Sequence, residues 1–196
     1  MKNILDDYQP REQAGFRSSY STVDHLHALN QLIEKANEYN LNICVGYIDF
    51  EKAFDSVEHK DLFTSLRKAG IIEAYVEILE DIYTNATARI HIENDVSKVI
   101  NIRRGVRQGD TLSPKIFTNA LEGVFKKLTR QERGINIDGE YLTDLRFADD
   151  VGFTTTTVRN MELQLNDLNK ASKKIGLKMH KGKTKYMTNF QTSDTI

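Results

Sequence analysis

Residues 145–153 have the sequence LRFADDVGF, in which two adjacent acidic residues, Asp149 and Asp150, stand between short apolar segments. This pattern predicts a β-hairpin with the acidic pair near its tip. Two like charges ~4 Å apart repel by about 4 kcal/mol at an effective dielectric constant of ~20. Aspartate is common in turns, but a bound divalent cation is the usual agent that offsets such repulsion. The stretch therefore predicts both a central hairpin and a candidate cation site.

A second stretch supplies another carboxylate. Residues 43–50 (ICVGYIDF) are nearly continuous in apolar and β-branched side chains, which predicts a buried strand that ends at Asp49. If this strand neighbours the hairpin, Asp49, Asp149 and Asp150 lie together at one end of a sheet. Magnesium prefers carboxylates combined with waters and substrate phosphates. The main-chain carbonyl of Phe50 is a candidate additional ligand.

The rest of the chain predicts helices and hairpins around these strands. Apolar residues at helical spacing predict helices over residues 21–39, 58–69, 72–83, 113–128 and 157–175. Turn signals predict a hairpin over residues 88–104 turning at 94–95, a turn at 138–139, and a hairpin over 177–190. Residues 1–20 lack periodicity and predict a loop. Because helices and strands do not alternate strictly, the order favours an α+β fold, an antiparallel sheet with helices packed on one face.

A glycine-bounded loop, residues 105–114 (GVRQGDTLSP), leads into one of the predicted helices. Glycine allows a ligand to approach the backbone closely, Gln108 offers an amide, and Arg107 offers a planar fork that matches phosphate. We expect Ser113 to cap the helix that follows. By the same reasoning, Asp55 is predicted to cap the helix that follows the strand ending at Asp49.

The composition is that of a globular domain. Of 196 residues, 39% are hydrophobic and 28% are charged, which excludes intrinsic disorder. The net charge of −1 is low for a nucleic-acid-binding domain, but lysines cluster within residues 170–185, so charge leaves such a partner open. The single cysteine, Cys44, excludes an internal disulfide framework. With no membrane-spanning apolar run and no signal-peptide core, we expect an intracellular protein of the cytoplasm or nucleus, without a membrane partner.

Five motifs, taken in order, resemble those of the reverse transcriptase domain of non-LTR (LINE-like) retrotransposons. They are residues 13–26 (beginning QAGFRS), 47–57 (YIDFEKAFDSV), 105–114 (GVRQGDTLSP), 147–150 (FADD) and 176–185 (beginning GLKMH and ending KTK). Each motif alone would be ordinary. Together they span nearly the whole chain in the family's order, which makes the resemblance highly specific.

The resemblance implies a right-hand polymerase palm with part of the fingers. Residues 1–40 would belong to the fingers and residues 41–196 to the palm, with the thumb absent and the domain truncated at both ends. The implied activity is that of an RNA-directed DNA polymerase, whose partners are an RNA template, a DNA primer and dNTPs. The alternative is a catalytically inactive remnant, or a domesticated nucleic-acid-binding protein of the same fold.

The resemblance also implies a metal site and a proton donor. Two Mg²⁺ ions, with Mn²⁺ as a substitute, would be held by Asp49, the main-chain carbonyl of Phe50, Asp149 and Asp150. One ion would activate the primer 3′-hydroxyl and the other would bind the incoming triphosphate. Lys183 would protonate the pyrophosphate leaving group, with Lys178 as a rival for that role.

The remaining implied residues contact the nucleotide or the template. Phe54 would sit under the sugar and exclude a ribose 2′-hydroxyl, which selects deoxynucleotides. Gln108 and Gly109 would line the nascent base pair, with Arg107 in the same loop. Arg17 would touch template or nucleotide.

Overall fold

The structure is a computed structural model that describes residues 1–128 and 133–191. The other residues, including 192–196 at the end of the predicted palm, lie outside the described part. The helices are α1 (Lys2–Tyr8), α2 (Thr22–Glu38), α3 (Ala53–Ser56), α4 (His59–Lys68), α5 (Glu73–Thr84), α6 (Ser113–Phe125) and α7 (Val158–Lys173). None of them is long and apolar enough to cross a membrane.

Ten strands accompany these helices in the described ranges. They are β1 (Cys44–Ile48), β2 (Thr87–Ala88), β3 (His91–Ile92), β4 (Asp95–Val96), β5 (Ile100–Asn101), β6 (Ile135–Ile137), β7 (Glu140–Leu142), β8 (Asp144–Phe147), β9 (Asp150–Thr155) and β10 (Lys185–Thr188). Four of them form the central sheet, in the order β10-β1-β9-β8. Every pair in this sheet is antiparallel. The predicted α+β class is therefore confirmed.

Strand alternation decides which helices cover the sheet. Cys44 and Ile48 of β1 belong to the main core, which also contains buried residues of α6 and α7. Between them, Gly46 leaves room for Met161 of α7, because a Cβ at that position would lie 2.5 Å from the Met161 sulfur. Val45 points to the opposite face, since successive residues alternate. There it packs in a smaller cluster with residues of α2, so α2 covers part of the second face.

The predicted hairpin over residues 177–190 is wrong. Strand β10 pairs with β1, with Lys185 opposite Tyr47, and Met179 forms an antiparallel bridge with Phe50 further along the same edge. Both segments therefore run in one direction beside the β1 chain, and the residues between them form an outward turn. Lys181 and Gly182, which signalled a hairpin turn, lie in that turn beside the end of β1.

Helix boundaries correct other predictions. Residues 1–20 contain α1, a short helix with a single buried apolar residue, Leu5, which is too little for a periodic signal. Helix α6 has Leu112 at its N-cap instead of Ser113, because Asp110 accepts the hydrogen bond of the Leu112 amide. Ser113 is buried and hydrogen-bonds the Tyr83 hydroxyl at 3.2 Å.

Smaller differences concern a turn and a helix face. The β3–β4 hairpin turns at residues 93–94, one position earlier than predicted, with Glu93 in the left-handed region. The apolar stripe of α2 is buried only in its second half, at Leu32 and Ala36. Val23 and Leu26 are 67% and 58% exposed, because the first half of α2 borders an open groove of about 360 Å³ along the sheet.

A buried ion network lies directly beneath the β8–β9 hairpin. The Arg146 side chain is fully buried and contacts Glu122 of α6 at 2.6 Å and Asp144 at 2.7 Å. Its guanidinium also lies 4.1 Å from the ring centroid of Phe125. Buried charges are tolerated when they are paired in this way. The network therefore ties the hairpin to α6 through contacts that are expensive to break.

Candidate active site

The β-sheet register brings the predicted carboxylates to one end of the sheet. Ile48 pairs with Val151, so Asp49 follows the end of β1 at the position opposite Asp150. Asp149 lies in the turn between β8 and β9, immediately after Ala148. Hence Asp49, Asp149 and Asp150 all stand where β1 ends and the hairpin turns.

The ionised form of Asp149 is destabilised by this arrangement. Its carboxyl is partly buried, and burial raises its pKa above the ordinary value. The negative charges of Asp150 and Asp49 raise the pKa further, although a backbone hydrogen bond lowers it in part. Both adverse effects act on the ionised form, and a bound cation would relieve both.

Asp49 also has a buried carboxylate oxygen that is poorly stabilised by the surrounding protein. Its Oδ2 atom is buried and accepts no hydrogen bond within the described residues. The nearest cation is the Lys183 ammonium, whose Nζ lies 3.3 Å from Asp49 Oδ2. A buried carboxylate oxygen without a hydrogen bond is costly, so this atom suits a cationic ligand.

The Phe50 carbonyl is oriented away from the β10 side of the sheet. The Glu51 amide donates to Lys178 and the His180 amide donates to the Asp49 carbonyl, at 2.8 Å each. Phe50, which is opposite Met179, lies between these two hydrogen bonds. In an antiparallel ladder such a residue directs its own N–H and C=O away from the partner strand. The Phe50 carbonyl therefore faces the β9 side, where Asp150 lies.

The three carboxylates nevertheless do not form a closed ligand cage. Asp49 lines a polar cleft of about 500 Å³, whereas Asp150 lines the apolar groove beside α2. Within residues 1–128 and 133–191, no three His, Cys, Asp or Glu side chains are grouped closely enough to hold one ion. The carboxylate oxygens and the repulsion at Asp149 fit the binding of divalent cations, and the ligand set stays a prediction.

Phe54 lies in a cluster of three aromatic rings with Phe117 and Phe16. Its ring stacks on Phe117 of α6 with centroids 4.3 Å apart, and Phe16 meets it edge-on at 6.2 Å. Its main-chain carbonyl accepts a 2.7 Å hydrogen bond from the Val106 amide. The ring is therefore held from two sides while remaining partly exposed.

The glycine-bounded loop is attached to α3 by a side-chain contact. Gln108 Nε2 donates to Asp55 Oδ1 at 3.0 Å, so Asp55 orients Gln108. The predicted capping role of Asp55 is wrong, because this residue lies inside α3 and the N-cap of α4 is Glu58. Gly109 has a φ of +84°, and the Arg107 side chain is exposed.

Lys178 and Lys183 contact different acidic residues. Lys178 pairs with Glu51 at 2.8 Å, and this hydrogen bond lowers the pKa of the Glu51 carboxyl. Lys183 instead contacts Asp49.

Arg17 lies in contacts away from the carboxylates. Its guanidinium donates to the Pro10 carbonyl at 2.8 Å and stacks over the Tyr20 ring.

Comparison with known proteins identifies the family. Residues 1–195 match the protein family described as reverse transcriptase (RNA-dependent DNA polymerase). The chain belongs to the reverse transcriptase family. Its relatives include proteins of non-LTR retrotransposons, as the sequence motifs predicted.

The curated relatives are much longer than this chain. The Pol polyprotein of the type-1 retrotransposable element R2 of Nasonia vitripennis is 27% identical, over 85% of the chain and 16% of its own length. The R2 polyprotein of Popillia japonica is 31% identical, over 66% of the chain and 20% of its own length. The chain thus spans at most about a fifth of these two relatives.

Solved telomerase structures share the fold of this reverse transcriptase domain. A truncated apo telomerase of Candida tropicalis superposes with a TM-score of 0.71 at 16% identity, over 98% of this chain and 40% of that one. Telomerase of Candida albicans gives a TM-score of 0.70 at 14% identity, over 99% and 34%. At such low identity the likeness establishes the fold alone.

Sequence reasoning missed the supports of the site. The pairing of Asp55 with Gln108 joins residues 53 positions apart, and no local pattern signals it. Gln13 was recognised as part of a motif without a role, yet its side chain contacts the Asp149 turn.

The raised pKa of Asp149 predicts the effect of Asp149→Asn on metal-free stability. A raised pKa means that the folded state binds the proton more tightly, so its stabilising effect is complete below about pH 3.8 and is lost as pH rises through the raised pKa. At pH 7 the ionised carboxylate is unfavourable, and Asp149→Asn should raise the melting temperature by about 2–4 °C.

Thermal unfolding in EDTA at pH 7 and pH 3.5 measures this difference. The matched control is Asp138→Asn, at the exposed turn between β6 and β7, which should leave the melting temperature unchanged. A melting temperature lowered by Asp149→Asn at pH 7 would show that the carboxylates are not electrostatically crowded.

Proposed function

We propose that this chain carries the catalytic palm of an RNA-directed DNA polymerase. Its substrates would be dNTPs and a DNA primer paired to an RNA template. The observation that supports this most strongly is the position of Asp49, Asp149 and Asp150 at one end of the sheet, in a chain of the reverse transcriptase family. Residues 1–40 would contribute to the fingers and residues 41–196 to the palm.

The carboxylates would hold two Mg²⁺ ions, or Mn²⁺, together with the Phe50 carbonyl. Bound as a pair, such ions clamp the attacking and leaving oxygens of an in-line phosphoryl displacement. In that displacement the primer 3′-oxygen bonds to the α-phosphorus, the bond to the bridging oxygen breaks, and pyrophosphate leaves. The 3′-hydroxyl proton passes to solvent. The buried Asp49 Oδ2 atom, which accepts no hydrogen bond and lies 3.3 Å from the Lys183 ammonium, and the raised pKa of Asp149 support the assignment of both residues as ligands.

The aromatic stack would select the sugar. Phe54 is confined between Phe117 and Phe16, so the ring cannot move aside for an added oxygen without disturbing the packing of α6. A rigid ring beside C2′ would exclude a ribose 2′-hydroxyl by steric contact. Gln108, held by Asp55, and Gly109 would border the nascent base pair, with Arg107 and Arg17 as further nucleic-acid contacts.

The polar cleft beside Asp49 suits a polyphosphate. Its lining includes the basic side chains of Lys52, Arg104, Lys178 and Lys183. Lys183 is the better candidate for the general acid, because Lys178 is engaged by Glu51. Once cations neutralise Asp49, the Lys183 ammonium would be released from that carboxylate to donate a proton to pyrophosphate.

Primer extension tests the proposed activity directly. A labelled DNA primer on an RNA template is incubated with dNTPs and Mg²⁺, and extended product is quantified. Because metal-ion catalysis supplies several kcal/mol, Asp149→Ala should lower the rate by about 10³-fold. Asp138→Asn, on an exposed turn, should retain the wild-type rate. No extension by the wild type, or equal extension by both aspartate variants, would refute the proposal.

Lys183→Ala and Lys178→Ala form a matched pair for the general-acid role. The two lysines line the same cleft and are similarly exposed, at 65% and 67%. General acids contribute about 10²–10⁴-fold, so Lys183→Ala should lower the single-turnover rate by about 10²-fold, whereas Lys178→Ala should change it by less than about twofold. An equal or larger loss with Lys178→Ala would assign the role to Lys178 instead.

A further inference from the structure

The segment before α2 lies along the outer edge of β8. The Arg146 amide donates to the Glu12 carbonyl at 2.7 Å, and the Ala14 amide donates to the Arg146 carbonyl at 2.9 Å. Gln13 thereby forms a parallel bridge with Arg146. These bonds place residues 12–16, which we call the edge segment, directly beside the catalytic hairpin.

Gln13 uses its whole side-chain amide to hold one residue of that hairpin. Its Oε1 accepts the Ala148 amide hydrogen at 2.9 Å, and its Nε2 donates to the Ala148 carbonyl at 3.2 Å. Oε1 also accepts from the Gly15 amide at 2.8 Å. The side chain is only 1% exposed, so water does not compete for these bonds.

Ala148 needs this support because of its backbone conformation. Its φ is +59°, in the left-handed region that residues with a Cβ adopt at an energetic cost. The residue directly precedes Asp149, so the rotation of its peptide decides where the Asp149 carboxylate points. Gly15 allows the close approach, since a Cβ there would lie 2.2 Å from the Ala148 nitrogen.

We propose that Gln13 is a positioning residue that fixes the turn of Ala148 and thereby aims the Asp149 carboxylate. Its catalytic consequence rests on the proposed polymerase function. The same edge segment carries Phe16, which touches Phe54. One short segment therefore holds both the carboxylate turn and the ring assigned to sugar selection.

We compare Gln13→Met with Gln9→Met to distinguish loss of Asp149 positioning from a general loss of folding stability. Gln9 is also a buried glutamine near the N-terminus, 3% exposed, and donates to Thr118 Oγ1 at 2.6 Å. Gln9→Met removes one buried side-chain hydrogen bond and Gln13→Met removes three, at similar volume, and only Gln13→Met frees Ala148. Both variants should melt at lower temperature than the wild type.

Amide hydrogen exchange of Ala148 is the readout that does not depend on activity. Gln13→Met should accelerate its exchange at least tenfold, whereas Gln9→Met should leave it unchanged. In primer extension, Gln13→Met should lower kcat by about 10²-fold, the typical cost of a small misplacement, and change the dNTP KM by less than about twofold. Gln9→Met should keep both constants near the wild-type values.

Gln13→Asn serves if Gln13→Met does not fold, because it keeps the buried site uncharged. Its amide is one methylene shorter and cannot reach both the N–H and the C=O of Ala148, so Ala148 exchange should be faster than in the wild type. Unchanged Ala148 exchange in the Gln13 variant that folds, or an equal kcat loss in Gln9→Met, would overturn the positioning role. Fast exchange in Gln13→Met alongside an inactive wild type would instead support positioning and refute the polymerase function.

Discussion

The structure depends on holding three negative charges at one end of a sheet. Asp49 comes from the end of β1, and Asp149 and Asp150 come from the β8–β9 hairpin. Folding alone gains nothing from this crowding, since burial and mutual repulsion raise the pKa of Asp149. The surrounding contacts are therefore best understood as supports for an arrangement that is unfavourable without a cation.

These supports reach the hairpin from separate directions. On the face of the sheet that packs against α6, the Arg146 ion network connects β8 to that helix. From the side, the Gln13 amide holds the left-handed Ala148. From the neighbouring edge, Lys183 balances the charge of Asp49. Because each contact is made by a different part of the chain, the carboxylate end of the sheet is defined by the tertiary fold and not by the hairpin alone.

Sequence patterns predicted what depends on local periodicity. The LRFADDVGF hairpin, the strand ending at Asp49 and the long helices were predicted because burial on one face imposes regular spacing. The C-terminal hairpin was predicted wrongly, because a lysine and a glycine indicate a turn equally well whether or not the flanking strands pair with each other. Here both flanks pair with the β1 chain.

The sequence predicted the carboxylates of the candidate site but not the residues that support them. Asp49, Asp149 and Asp150 carried a signal because charges between apolar residues are unusual. Gln13 and Asp55 carried none, since a polar residue in a loop is ordinary until its long-range partner is known. Helix α2 shows the opposite case. Its apolar stripe predicted burial, yet Val23 is exposed and Leu26 lines an open groove.

The most direct test of the central claim is Mn²⁺ binding measured by electron paramagnetic resonance. If the crowded carboxylates form a cation site, adding the wild-type chain should reduce the free Mn²⁺ signal, and Asp138→Asn should do the same. The double variant Asp49→Asn/Asp149→Asn should leave the signal at its protein-free level. An equal reduction by the wild type and the double variant, or none by the wild type, would contradict a cation site at these residues.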